Sequence, residues 1–198
     1  GGAGQFGEVY LRVEPLARGE GFQFVDEVKG GAIPFNFIPA VEKGVREVLT
    51  QGFIAGYPMQ DIKVTVYDGK SHPVDSKEVA FVAAGRKAML DALAKASPTL
   101  LEPIAKLTIT APTVTLGDIA GDLASRRGQV LNTVATSSTS MEILATVPLA
   151  EMDGYAARLN AMTQGAAVFT FEFYAYQPAP MQKQQELAAK YQRKDEDD

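Results

Sequence analysis

The 198-residue chain carries a formal net charge of −5, from 19 Lys and Arg against 24 Asp and Glu, and 46% of it is apolar. That is enough to core one large domain or two small ones of about 100 residues each, while the negative balance argues against a surface that grips nucleic acid everywhere by neutralising phosphate, so any RNA contact has to be local. With no Cys and one His, disulfides, thiolate zinc sites, cysteine nucleophiles and centres needing two imidazoles are excluded. No apolar stretch approaches the ~20 residues of a bilayer span and no secretory signal appears, so no membrane partner is expected. The chain opens at Gly1, on a glycine cluster and without Met, which reads as a piece of a longer protein.

From Glu8 to Val13 apolar and polar residues alternate, which predicts a strand that Pro15 closes. Gly21–Val28 predicts a second strand, antiparallel to the first across a short charged turn. After Gly30-Gly31, Pro39 suits the first turn of a helix whose apolar positions are Val41, Val45, Val48 and Leu49, with Gly52 as its C-terminal cap. Asp61–Tyr67 is rich in β-branched residues and predicts a strand ended by a turn at Asp68-Gly69. Asp75 and Glu78 form a capping-box pattern for a helix to about Ala96, with Val79, Val82, Ala83, Leu90 and Leu93 as its apolar stripe. Ser97–Pro103, with Pro on both sides of Leu100-Leu101, is the best domain boundary.

The second half reads strand Ile104–Thr110, helix Asp118–Arg127, strands Gln129–Val134 and Met141–Val147, helix Glu151–Gln164 and strand Ala167–Tyr176. This is the βαββαβ order of a ferredoxin-like domain, and the Phe169, Phe171, Phe173 face of its last strand is assigned to packing under the two helices. From Met181 the tail begins as a helix, and the all-charged run Arg193–Asp198 is expected to fray.

Gly2-Ala3-Gly4-Gln5-Phe6-Gly7-Glu8-Val9 has the spacing of a kinase phosphate loop, yet no V-A-I-K, H-R-D or D-F-G partner occurs. A dinucleotide fold needs a strand before the glycines and a helix after them; here a strand follows, and Glu8 stands where a P-loop needs Lys. The glycines leave two readings: a hairpin lead-in with Phe6 in the core, which spacing alone favours, or a tip that displays Gln5 and Phe6 to RNA. His72, in Lys70-Ser71-His72-Pro73, belongs to an exposed loop; it lacks the constellation of a catalytic base and is either solvated or an RNA contact with Lys70 beside it. Arg126-Arg127-Gly128 satisfies the needs of a helix C-terminus and is also a candidate phosphate contact.

In this order the strings Gly1–Gly7, Lys29–Pro34, Phe37–Gly44, Gly56-Tyr57-Pro58, His72–Ser76, Leu101–Ile104, Gly121-Asp122-Leu123 and Arg126-Arg127-Gly128 resemble the fourth and fifth domains of the elongation factor G family of translational GTPases. The resemblance implies an α+β chain: an elongated domain over 1–100 with a left-handed βαβ crossover, a ferredoxin-like domain over 101–180, and a C-terminal helix and charged tail over 181–198. It implies a cytoplasmic fragment, not itself an enzyme, that binds the ribosome and promotes translocation by placing its tip in the small-subunit decoding region beside tRNA and mRNA. Gly4, Gln5, Phe6, Lys70, Ser71, His72 and Pro73 are the implied tip contacts, and Arg126 and Arg127 the implied contacts near the large-subunit stalk base and sarcin–ricin loop. No catalytic or metal residue and no cofactor is expected in these residues; GTP and Mg belong to a G domain elsewhere. Glu8, Ser71 and Pro73 depart from common family choices and look like those of a paralog, so a ribosome-protection or recycling role is an alternative reading. A ferredoxin-like small-molecule or protein-interaction module is the alternative from a different class.

Overall fold

The structure is a computed structural model that describes residues 4–197, so Gly1, Gly2 and Ala3 of the glycine-rich string and Asp198 lie outside the described residues. In chain order the elements are β1 (Glu8–Pro15), β2 (Phe22–Asp26), α1 (Ile38–Gln51), β3 (Ile62–Lys70), α2 (Glu78–Ala96), β4 (Leu101–Pro112), α3 (Leu116–Ser125), β5 (Gln129–Ala135), β6 (Ser140–Pro148), α4 (Tyr155–Thr163), β7 (Val168–Pro178) and α5 (Met181–Asp197). They form two compact units, Gly1–Thr99 with Met181–Asp198, and Leu100–Pro180. The helix of α5 carries on through the charged tail instead of fraying at Arg193.

In the first unit the strand order is β1-β3-β2. The antiparallel β1–β2 pair expected from sequence does not form: β3 lies between them, antiparallel to β1 and parallel to β2. Val64, Thr65 and Val66 are all buried, and a strand this apolar takes the centre, where both of its edges are paired. Nor does Asp68-Gly69 end the strand. The pairing shifts at Tyr10/Leu11, and β3 continues to Lys70 opposite Glu8. Helix α1 is the crossover between the parallel strands β2 and β3.

Direction follows from this pairing. Strands β2 and β3 both run toward the end where Glu8 meets Lys70, and α1 and α2 both start there. The helices cross closely because Gly44 and Gly85 lie between them: a Cβ on Gly85 would sit 2.6 Å from the Val41 carbonyl oxygen, and one on Gly44 2.8 Å from the Arg86 nitrogen. The buried residues of α2 are therefore Phe81, Gly85, Met89 and Leu93, one per turn, while Val79 and Leu90 of the expected stripe are exposed. Phe81 stacks on Phe37 with ring centroids 4.9 Å apart. The capping box is absent as well: Lys77 is the N-cap with no side-chain bond, and Asp75 is drawn away toward His72. At the far end, Asp61, 6% exposed, accepts hydrogen bonds from the Gly19 and Gly21 N–H groups and ties down the β1–β2 loop.

In the second unit the order β5-β6-β4-β7, with every neighbouring pair antiparallel, is the ferredoxin-like arrangement expected. Leu107, Ile109, Ile143 and Ala145 of the sheet pack against Ile119 and Leu123 of α3 and Tyr155 and Leu159 of α4. The aromatic face of β7 departs from its assignment. Phe169 meets Tyr155 edge-on at 5.2 Å, but Phe171 is 54% and Phe173 61% exposed, because β7 is an edge strand that the helices cover only at its start. Among the described residues, no helix is long and apolar enough to cross a membrane.

Candidate RNA-contact site

Two loops far apart in sequence are clasped together at the end of the first unit. The Phe6 N–H donates to the Asp75 carbonyl at 2.9 Å, and the Ser76 hydroxyl donates back to the Phe6 carbonyl at 3.1 Å. The same hydroxyl oxygen accepts from the His72 N–H at 2.7 Å, and the Ser76 N–H donates to the His72 carbonyl at 3.1 Å. Ser76 thus closes its own loop into a turn and fastens it to the glycine segment. Gly4 passes so near the Asp75 carboxyl group that a Cβ there would lie 3.0 Å from its carbon, so a larger residue would have to displace that side chain. Phe6 is at the surface and not in the core: it is 39% exposed and meets the His72 ring edge-on at 6.5 Å. Gln5, Lys70, Ser71, His72 and Pro73 are all exposed, so the candidate contacts of both loops share one surface.

The His72 ring is oriented by its own turn. Its Nδ1 accepts from the Val74 and Asp75 N–H groups at 3.3 and 3.2 Å, which places the proton of the neutral imidazole on Nε2 and makes that atom the donor available to a partner. The Asp75 carboxylate, 3.4 Å from Nδ1, is the competing arrangement: it pairs with the ring only when Nδ1 is protonated, at the expense of the two backbone bonds. Lys70 is 3.9 Å from Glu8, which also accepts a hydrogen bond from the Tyr10 hydroxyl. That bond, and the Glu8 charge, raise the pKa of the Tyr10 phenol. The tip's contact chemistry is consequently an amide, an imidazole N–H and the Phe6 ring more than a cluster of cations.

Arg126 and Arg127 are placed differently. Helix α3 ends with Arg127 in the left-handed region (φ 60°), the Gly128 N–H donating to the Leu123 carbonyl at 2.7 Å and the Arg127 N–H to the Ala124 carbonyl at 3.1 Å. The Arg126 guanidinium donates to Asp122 and to the Glu151 and Asp153 carbonyls, and lies over the Tyr155 ring. Arg127 makes a fork to both oxygens of Glu102, at 2.6 and 3.0 Å, and reaches Glu151 at 3.2 Å; the Glu102 hydrogen bond raises its pKa further. These guanidiniums join α3, β4 and the turn before α4, which is the role a helix end asks of them.

The chain matches known sequences over nearly its whole length. The family model for elongation factor G, domain IV, matches residues 1–97, and the model for the elongation factor G C-terminus matches residues 99–187. The chain belongs to the elongation factor G family. Elongation factor G of three strains of Dehalococcoides mccartyi is 51% identical over 180 residues, which is 91% of this chain and 26% of each relative. A solved structure from Thermus thermophilus covers 98% of this chain at 37% identity with a TM-score of 0.79, the match spanning 29% of that protein. The chain therefore spans about a quarter of the length of the curated relatives it matches.

The glycine string has a different setting from that of a phosphate-binding loop. Gly7 leads into the strand β1 and not into a helix N-terminus, and among the described residues no group of three His, Asp or Glu side chains could hold a metal ion. The site residue that sequence reasoning passed over is Ser76: it stood in the matched string, but a serine after Asp reads as a helix start, and only the fold brings Phe6 to it.

Proposed function

We propose that this part of an elongation factor G acts as a ribosome-binding wedge during translocation. Its clasped tip enters the small-subunit decoding region and lies against the tRNA–mRNA duplex, with Gln5 and His72 as the hydrogen-bonding groups and Phe6, Ser71 and Pro73 as the close-contact surface. The ferredoxin-like unit meets the large subunit near the stalk base and sarcin–ricin loop, while GTP hydrolysis belongs to the rest of the factor. The observation that carries this reading is the convergence of residues 4–7 and 70–77 on one exposed end, held by bonds that leave Gln5 and the outer edge of His72 to a partner.

A wedge works by position: it needs fixed geometry and a few donors, not strong binding, and it performs no bond chemistry of its own. In the complete factor, His72→Ala should slow single-round translocation about fivefold, the worth of one hydrogen bond of about 1 kcal/mol, with ribosome-stimulated GTP hydrolysis unchanged. Equal loss of both activities, or of neither, would refute the wedge.

A further inference from the structure

The loop between β2 and α1 comes to the same end of the first unit as the two clasped loops, since β2 runs parallel to β3 and α1 starts where β3 finishes. Its inner side is anchored at two places. Ile33 is buried so close to β3 that a Cβ on Gly69, one residue before Lys70, would lie 2.6 Å from its side chain. Phe37 is held by its stack on Phe81. Between these anchors, in the 3-10 turn Phe35–Phe37 that leads into α1, the Phe35 ring is 87% exposed. Its backbone is fixed by buried neighbours, so presenting the ring to a partner costs little further ordering.

The surroundings select the kind of partner. From Val28 to Val41 the sequence contains Lys29 and no Asp or Glu. The first turn of α1 likewise holds no acidic side chain and no side-chain cap, so the positive end of that helix is not neutralised locally. The acids that flank this stretch are engaged, Asp26 by the Val28 N–H, Glu27 by Arg12 and Glu42 by Arg46, and a ring beside a lysine and a helix start matches an unstacked base with its flanking phosphate, the combination by which single-stranded nucleic acid is held. An apolar protein pocket would draw on the ring alone and leave the charge pattern without a role.

We infer that Phe35, on a third loop, is a further RNA contact of this tip, stacking on an unpaired base while Lys29 and the start of α1 face the neighbouring phosphate. This rests on the ribosome-binding reading above. The test compares Phe35→Ala, Phe35→Leu, Phe35→Tyr and His72→Ala in the complete factor, with single-round translocation, GTP hydrolysis and thermal midpoint measured for each. Because the ring is outside the core, all three Phe35 variants should keep the parent midpoint. Loss of one base stack should slow translocation about tenfold in the Ala and Leu variants, whereas Tyr, which keeps a π face, should stay within about twofold of the parent. A Leu variant as fast as the parent would assign the ring to an apolar protein pocket and overturn the inference. So would a Tyr variant as slow as Ala, or an Ala variant at the parent rate. If Phe35→Ala is silent while His72→Ala is slow, only this inference falls; parent rates for both remove the wedge reading with it.

Discussion

Replacing Ser76 with Ala would cut both side-chain bonds of the tip clasp at once, the one accepted from the His72 N–H at 2.7 Å and the one donated to the Phe6 carbonyl at 3.1 Å. Both partners are exposed and regain water, so each bond is worth about 0.5–1 kcal/mol, and the ratio of closed to open tip should fall by about tenfold for a combined loss of about 1.4 kcal/mol. The Phe6-to-Asp75 and Ser76-to-His72 backbone bonds remain, and the hydrophobic clusters around Val41, Phe81 and Val64 contain no clasp atom. The damage should therefore stay local. Amide hydrogen exchange is the assay: the Phe6 and Ser76 N–H groups should exchange about tenfold faster while those of Val45 and Val64 keep their rates. Translocation by the complete factor should slow without loss of GTP hydrolysis, since the donors are intact but no longer fixed. Unchanged exchange at Phe6, or equal acceleration in the core, would refute the claim that this hydroxyl joins the two loops.

Two further outcomes concern the ferredoxin-like unit. Arg127→Ala should destabilise it by about 1–2 kcal/mol, a figure already discounted for the partial exposure of the ion pairs to Glu102 and Glu151, and should leave the salt dependence of ribosome binding unchanged; a slope reduced by about one would instead reveal a phosphate contact. Tyr155, 1% exposed, has its pKa pushed up to about 12, by burial first and by the Asp122 charge second. A phenol whose folded pKa is raised contributes stability that is whole below its unfolded value near 10 and is lost as pH rises toward 12, so alkaline unfolding followed by near-ultraviolet absorbance should steepen in that window. Its hydroxyl is buried without a hydrogen-bond partner among the described residues. Tyr155→Phe should then abolish the alkaline steepening and leave stability at pH 7 unchanged or slightly raised, as thermal midpoints would show.

Most of the secondary structure, the ferredoxin-like order of the second unit and the family were legible in the sequence, because alternation, helical spacing, Pro and Gly stops and ordered motifs depend on residues close together in the chain. Val9, Leu11 and Val13 announce a strand without any neighbour, and Pro39 and Gly52 bracket a helix on their own. Which strand stands beside which is a different kind of question. Local alternation made β1 and β2 a hairpin, whereas the triply buried Val64-Thr65-Val66 segment of β3 gains most from two partners and takes the place between them. Side-chain assignments failed for the same reason. Asp75 has the spacing of a cap, but the fold turns it toward His72; the intramolecular partners of Arg126 and Arg127 are carboxylates and carbonyls up to 27 positions away in the chain, which no local pattern names. The exposure of Phe35, Phe171 and Phe173 depends on where neighbouring elements stop, which no local pattern encodes. The sequence by itself thus determined the elements, their order and the family. Tertiary structure alone decided the strand neighbours, the hydroxyl that fastens the tip and the intramolecular partners of Arg126 and Arg127, since these depend on contacts between residues that only folding brings together.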